Sequence, residues 1–335
     1  MIVLIVRELT KPIDLFKEEA LALRLAGNYP RRAELDDSIG RRKAGYRGEK
    51  ALDYYLHFLP ESSFVFRGIR IPTSTAAFQI DNLILTSSAA IIVEVKHLAG
   101  NIFFDQTFDQ FIRKDENGKE ERFSNPIAQV DRQKIKLRNW LRPHLSQPLP
   151  IDHIIVFTHP HAILDTNMHD DPRLRNIVYA DHMLDKVKEL TAKYKREVLS
   201  RSQLFTLRDQ LLKSDRPLDV DVLGRFGVRK EDVLKGVQCV ACGRLGMKRV
   251  KLRWQCPFCW KRDVSAHERA VYDYFLLMGK TITNLQCKSF LQIDSSDSVY
   301  KFLNSMKLRQ TGVNRGRKYH IPQNIAEVLA QHQSR

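Results

Sequence analysis

At 335 residues, with 43% hydrophobic and 28% charged side chains, the chain has the composition of a folded globular protein of two or three domains, which excludes a disordered or fibrous class. The longest apolar runs, Ile151 to Phe157 and Ala89 to Val93, fall far short of the roughly 18 residues a membrane span requires, and Arg7 interrupts the apolar start, so a soluble, cytoplasmic protein without a membrane partner is expected. A net charge of +16 favours polyanionic partners, nucleic acid first, and residues 236–335 carry most of it, with 17 Lys and Arg against 6 Asp and Glu, a net +11.

Along the chain, Ile2 to Val6 reads as a strand, Ile13 to Leu25 as a helix, and Asp37 to Leu59 as a second helix. From Phe64 the period changes. Phe64 to Ile71, Phe78 to Thr86 and Ala89 to Leu98 are rich in β-branched and aromatic residues, which predicts three consecutive antiparallel strands. Ile102 to Phe104 and Asp109 to Arg113 predict two further short strands that widen the same sheet, with a turn at Asn117-Gly118. After Asn125-Pro126, the apolar positions Ile127, Val130, Leu137 and Leu141 recur at helical spacing, and Ile151 to Phe157 returns as a buried strand. The outline is an α/β layer sandwich.

Alternation of side chains along Ala89 to Leu98 places Glu94 and Lys96 on one face, and a short turn at Ser87-Ser88 lays Asp81 of the preceding strand beside Glu94. Two carboxylates in an apolar sheet are costly unless neutralised, and a divalent cation with oxygen ligands, Mg²⁺, is the expected solution. Such a site polarises a phosphoryl oxygen and activates water, while a nearby Lys orients that water or offsets developing charge. The competing reading is a solvated strand face with a surface ion pair.

The ordered series Gly45-x-x-Gly48-Glu49, Gln79-Ile80-Asp81, Ile92-x-Glu94-x-Lys96-x-x-x-Gly100 and Asn125-Pro126-x-x-Gln129 resembles the nuclease-related domain (NERD) family. That family is similar to the PD-(D/E)xK restriction-endonuclease-like superfamily, so the resemblance implies an α-β-β-β-α-β core and Mg²⁺-dependent DNA cleavage. It covers roughly residues 35–160. Residue by residue, it implies that Asp81 and Glu94 bind the metal, that Lys96 is the catalytic lysine, and that Glu49 and Gln129 are the auxiliary helix carboxylate and glutamine. The sequence departs from the superfamily name in having Ile80, not Pro, before Asp81.

Cys239-Val-Ala-Cys242 and Cys256-Pro-Phe-Cys259 carry the spacing of a four-cysteine site, and four thiolates complete a tetrahedral structural Zn²⁺. Lys248 to Trp254 alternates basic and apolar residues as one strand would, which puts Lys248, Arg249, Lys251 and Arg253 forward as phosphate contacts on a zinc ribbon. Cys287 is a core thiol, and His159, His161 and His169 are surface histidines of one loop. The remainder, helices at His267 to Met278, Thr283 to Leu291 and Val299 to Met306 followed by a basic hairpin, is similar to a winged helix. Lys301 and Lys307 would then lie on the recognition helix, and Arg315, Arg317 and Lys318 on the wing.

The expected division is a nuclease-like domain with a helical leader at 1–195, a helical linker at 196–236, a zinc ribbon at 237–263 and a winged-helix-like α+β domain at 264–335. The leading reading is a Mg²⁺-dependent deoxyribonuclease with DNA favoured over RNA. The competing class is a non-catalytic DNA- or RNA-binding protein that uses the nuclease fold as a scaffold.

Overall fold

A computed structural model describes residues 4–59, 62–73, 76–168 and 170–333; Ile2 and Val3 of the expected first strand, and His169, lie outside them. In chain order the elements begin with β1 (Leu4–Arg7), α1 (Ile13–Leu23), α2 (Arg32–Lys50), α3 (Asp53–Leu56), β2 (Phe64–Ile71), β3 (Phe78–Leu85), β4 (Ala90–Lys96) and β5 (Gly100–Asp105). They continue with β6 (Gln110–Lys114), β7 (Glu120–Phe123), α4 (Pro126–Leu141), β8 (Ile151–Phe157), β9 (Ala162–Thr166), β10 (Ile177–Tyr179), α5 (Met183–Lys193) and α6 (Arg201–Ser214). The chain forms two compact units, one of residues 1–9 and 43–218, the other of residues 10–42 and 219–335.

The first unit is built on a six-stranded sheet of order β1-β2-β3-β4-β8-β10. β2, β3 and β4 run antiparallel as expected, whereas β8 lies parallel to β4. Every residue of β8 is buried, which suits a strand covered on both faces. Alternate residues of β4 feed two cores. Ile91 and Val93 pack with Leu52 just before α3, Leu56 of α3, and Val187 and Leu190 of α5, while Ala90 and Ile92 pack with α4 and α6 through Leu137, Leu141, Leu204 and Leu207. With the helix end of α2 ahead of β2, the order α-β-β-β-α-β is present, interrupted by an insertion between β4 and α4.

Two expectations need correction here. β5 and β6 do not widen the main sheet; with β7 and β9 they make a separate four-stranded sheet of order β7-β6-β5-β9. Past the end of β4 the chain turns into β5 at Gly100, whose φ of +97° and carbonyl neighbour, Lys114 O only 2.5 Å from a would-be Cβ, admit no side chain. The separate sheet has its own core of Ile102, Phe104 and Phe111 against Phe157. The stretch expected to be a linker from residue 196 contains α6, whose Leu204, Leu207 and Leu211 are part of the first unit's core.

The second unit adds α7 (Val222–Phe226), β11 (Lys248–Val250), β12 (Arg253–Gln255), β13 (Arg262–Asp263), α8 (Ala266–Leu277), β14 (Thr281–Thr283), α9 (Asn284–Leu291), α10 (Ser296–Ser305), β15 (Gln310–Thr311), β16 (Lys318–His320) and α11 (Ile325–Gln333). Helix α1, expected as a leader of the nuclease-like domain, belongs to this unit: its Leu15, Phe16, Ala20 and Leu21 share a core with α7 and α8. Arg24, just past α1, forms a 2.9 Å ion pair with Asp273 of α8 in which neither side chain is exposed. β11, β12 and β13 form an antiparallel ribbon. From α8 the order is helix, strand, helix, helix, strand, strand, closed by an antiparallel sheet of order β14-β16-β15.

Candidate active site

Glu94 leaves β4 on the face that looks toward α4 and is 2% exposed, so its charge requires partners. Lys96 Nζ donates to Glu94 Oε1 at 2.6 Å, and Gln129 Nε2 donates to the same oxygen at 2.6 Å. The second oxygen accepts from Gln133 Nε2 at 2.9 Å. Lys96 Nζ also donates to Gln129 Oε1 at 3.0 Å, which closes a ring of three side chains. Gln129 and Gln133 share one face of α4 because they are four residues apart. The helix starts where it must to aim them: Asn125 accepts the N–H of Ile127 at 2.9 Å as the N-cap, and Pro126 occupies the first helical position.

Asp81 stands on β3 one step beyond the last register pair, Asn82 with Val93, and its Oδ2 accepts the N–H of Val95 at 2.9 Å. Burial, then the charges of Glu94 and Glu49, hold the Asp81 carboxyl well above the usual carboxylate range, against the opposing pull of Lys96 and the Val95 N–H. Glu49, at the end of α2, is pushed up to about 7, chiefly by burial, with Arg67 opposing and Glu94 adding to the shift. Arg67 is tied into the same corner, its Nη2 donating to the Glu49 carbonyl at 2.8 Å.

Of the residues singled out from sequence, Glu94, Lys96 and Gln129 are therefore joined by direct hydrogen bonds, and Asp81 and Glu49 by electrostatic proximity. Among the described residues, Glu49, Asp81 and Glu94 do not close to within 4.8 Å of one another as a trio. Gln133 is the residue that sequence reading missed. The signal was its position four residues after Gln129 on the same helix. Gly48 has a local reason as well, since a Cβ there would sit 2.4 Å from the His97 Cβ; Gly45 faces open space. His97 itself bonds Thr158 Oγ1 through Nδ1 at 3.0 Å and stands 4.8 Å, ring to ring, from His159.

The glycine-carboxylate helix end, the Asp81 strand, the Glu94-x-Lys96 strand and the Asn125-capped helix all fall within residues 44–158, which match the family model of the nuclease-related domain, NERD. This chain carries a nuclease-related domain. No curated protein and no solved structure matches the chain. The four-stranded β5–β9 sheet contributes strands β5, β6 and β7 to the span of the nuclease-related domain, inserted between its Lys96 and its Gln129.

Outside the nuclease-related domain, Cys239, Cys242, Cys256 and Cys259 bring their sulfurs within 4.8 Å of one another, a group that could hold a metal ion. Each pair sits on a tight turn in which a backbone N–H points at the first sulfur, Ala241 N at Cys239 and Phe258 N at Cys256, both at 3.4 Å. Soft thiolates in a closed set of four suit Zn²⁺. Cys287 is buried in the second unit's core, and burial pushes its thiol up to about 12.

The basic residues separate into exposed and inward groups. The expected single strand from Lys248 to Trp254 is a hairpin, β11 and β12 joined at Lys251 and Leu252, with Lys251 in left-handed backbone at φ +53°. Arg249 pairs across it with buried Trp254 and turns inward, its guanidinium 5.7 Å from the Trp254 ring and 4.9 Å from the Phe302 ring. It is a packing residue rather than a free phosphate contact. Lys248, Lys251 and Arg253 are exposed, as are Lys301 on α10, Lys307 just after it, Arg315 and Lys318. Arg317 is half-buried and donates to Tyr300 Oη at 3.3 Å, linking the β15–β16 segment to α10. Among the described residues, no helix is long and apolar enough to cross a membrane.

Proposed function

We propose that this protein is a Mg²⁺-dependent nuclease that hydrolyses DNA phosphodiesters, delivered to its substrate by a zinc ribbon and a winged-helix-like module. The observation that carries the reading is the Glu94 carboxylate, buried on a central strand and gripped by Lys96, Gln129 and Gln133 beside Asp81. A surface ion pair does not require two glutamines from a separate helix, nor does it bury its carboxylate.

Asp81 and Glu94 would hold the metal, with Glu49 at its edge; the donor set consists of hard carboxylate oxygens, which fits Mg²⁺. The raised affinity of Asp81 and Glu49 for protons comes first from burial and then from neighbouring carboxylates, and a divalent cation would offset that cost of negative charge as well. When bound, the ion would polarise the phosphoryl oxygen and lower the pKa of the attacking water. Lys96 keeps its ammonium at the carboxylate cluster, where it can orient that water and balance charge developing on phosphate. Gln129 fixes the Lys96 and Glu94 side chains relative to each other. Exposed cations on β11, β12, α10 and the β15–β16 segment would hold phosphates along the strand. A structural zinc at the four cysteines and a cytoplasmic setting accompany this reading, since zinc thiolates persist where thiols stay reduced.

The deciding experiment compares Mg²⁺-dependent cleavage of plasmid and single-stranded DNA by the wild type, Asp81→Ala and Glu94→Ala. Loss of cleavage in both variants with DNA binding retained is expected. Equal activity in all three proteins refutes the site, and salt-sensitive binding without cleavage under any divalent metal establishes the non-catalytic alternative.

A further inference from the structure

The four-cysteine module carries two large aromatic rings that its own packing does not use. Its two turns are built alike, Cys239-Val-Ala-Cys242-Gly243 and Cys256-Pro-Phe-Cys259-Trp260. In each, the fifth residue donates its N–H to the carbonyl of the first cysteine, at 3.0 Å for Gly243 and 3.1 Å for Trp260. In each, that residue also adopts left-handed backbone, with φ of +72° at Gly243 and +61° at Trp260. Glycine is the natural occupant of such a position, and a bulky aromatic there is an outlier that carries strain. The Trp260 ring does not recover that strain by packing, because the residue is 71% exposed.

Phe258, in the same turn, is 54% exposed, and the Arg244 guanidinium lies 5.1 Å from its ring. The ribbon's own charges are almost all of one sign. Residues 237–263 contain seven Lys and Arg against Asp263 alone. An apolar protein partner would bury the rings but would not require so strong a cationic excess beside them, whereas a polyanion whose bases are free to stack uses both features. A duplex hides its base faces; a single strand offers them.

We infer that Trp260 and Phe258 form a base-stacking platform for single-stranded nucleic acid, with the surrounding cations holding its phosphates. The inference rests on the nucleic-acid reading proposed above and adds the strandedness of what the module grips. The strained position of Trp260 supplies a discriminating variant, because Trp260→Gly removes the ring and places the preferred residue in the turn.

The test measures binding of a fluorescent oligothymidylate and of a duplex of equal length to the full-length zinc-loaded protein in Mg²⁺-free buffer. Trp260→Gly should keep its zinc and its melting temperature and lose about 5- to 100-fold in single-strand affinity, with duplex affinity unchanged. Phe258→Ala should act in the same direction, and Trp260→Phe should retain most of the binding. Wild-type single-strand affinity in Trp260→Gly, or equal losses for single strand and duplex, overturns the platform while leaving nucleic-acid binding intact. A wild-type protein that binds neither oligonucleotide overturns both readings.

Discussion

Gln133 reaches from α4 to Glu94, its Nε2 2.9 Å from Oε2, and at the same time holds the carbonyl of Gln79 on β3 at 3.0 Å. One amide thus fixes a carboxylate of the central strand to the backbone of its neighbour, two residues before Asp81. The remaining oxygen of that amide, Oε1, is buried without a partner, so the side chain is committed to its donor role.

Replacing Gln133 by Leu therefore removes a hydrogen bond to a charged group and leaves one Glu94 oxygen bare. Such bonds contribute about 1.5–3 kcal/mol, which corresponds to roughly a 10- to 100-fold loss in turnover. Because Gln133 acts through Glu94, the loss should fall on kcat while KM for DNA stays near its wild-type value. Steady-state cleavage kinetics check this, and a change confined to KM would refute the positioning role.

Gly48 is the second pressure point. A methyl group at that position meets the His97 Cβ at 2.4 Å and Thr158 Oγ1 at 3.1 Å, and the nearest atom belongs to a rigid part of its side chain. Gly48→Ala should push the end of α2, and Glu49 with it, away from β4. Overpacking of this kind costs about 1–3 kcal/mol, and thermal denaturation should report it. The double variant Gly48→Ala with His97→Gly should recover most of the stability; no recovery would show that the contact is not the cause.

His267 makes stability depend on pH in a defined window. It is buried against Trp254 and Phe302, accepting the Trp254 Nε1–H at Nδ1 at 3.1 Å with the Phe302 ring stacked 4.0 Å away. Burial chiefly, and the charge of Arg249, lower its pKa from 6.5 to about 4. The unfolded chain therefore binds a proton near 6.5 that the folded chain refuses until about pH 4. Stability is lost as pH falls through that window, by about 3 kcal/mol at its lower end, and is unaffected above it. Denaturant unfolding at several pH values should show a shallower acid slope for His267→Gln than for the wild type, and identical slopes would exclude His267 as the origin.

Metal removal should act on the ribbon. Cys239 and Cys256 are buried beside Trp254, so stripping the ion with a strong chelator should open β11–β13 and move Trp254 into water, a red shift in tryptophan emission. A thiol reagent should release zinc in step with that shift. Emission unchanged after complete metal release would mean that packing alone sustains the ribbon.

The strands of the first unit were legible because their apolar runs are long and uninterrupted, and Glu94 with Lys96 could be placed on one face from alternation alone. Gln133 was not legible, because nothing in a glutamine marks which partner it reaches. The insertion sheet was misplaced for a related reason: β5 and β6 look like any edge strands, and only Gly100, with a backbone no other residue adopts readily, records that the chain departs there. Arg249, put forward as a phosphate contact, packs against rings because a hairpin turn at Lys251 and Leu252 brings it opposite Trp254, whereas a continuous strand would not. The division into units escaped prediction because α1 finds its partner, α8, on the far side of about 240 residues of sequence.

That last pairing has a consequence for how the protein is made. Arg24 and Asp273 are 249 residues apart in the chain, so α1 leaves the ribosome long before the counterpart it packs against. In the interval, the first unit can close its sheet while the apolar stripe of Leu15, Phe16, Ala20 and Leu21 remains uncovered. A message truncated after residue 218 would keep every described strand of the first unit and leave α1 an orphaned greasy helix. Damage to residues 219–335 would therefore surface first as stickiness at α1.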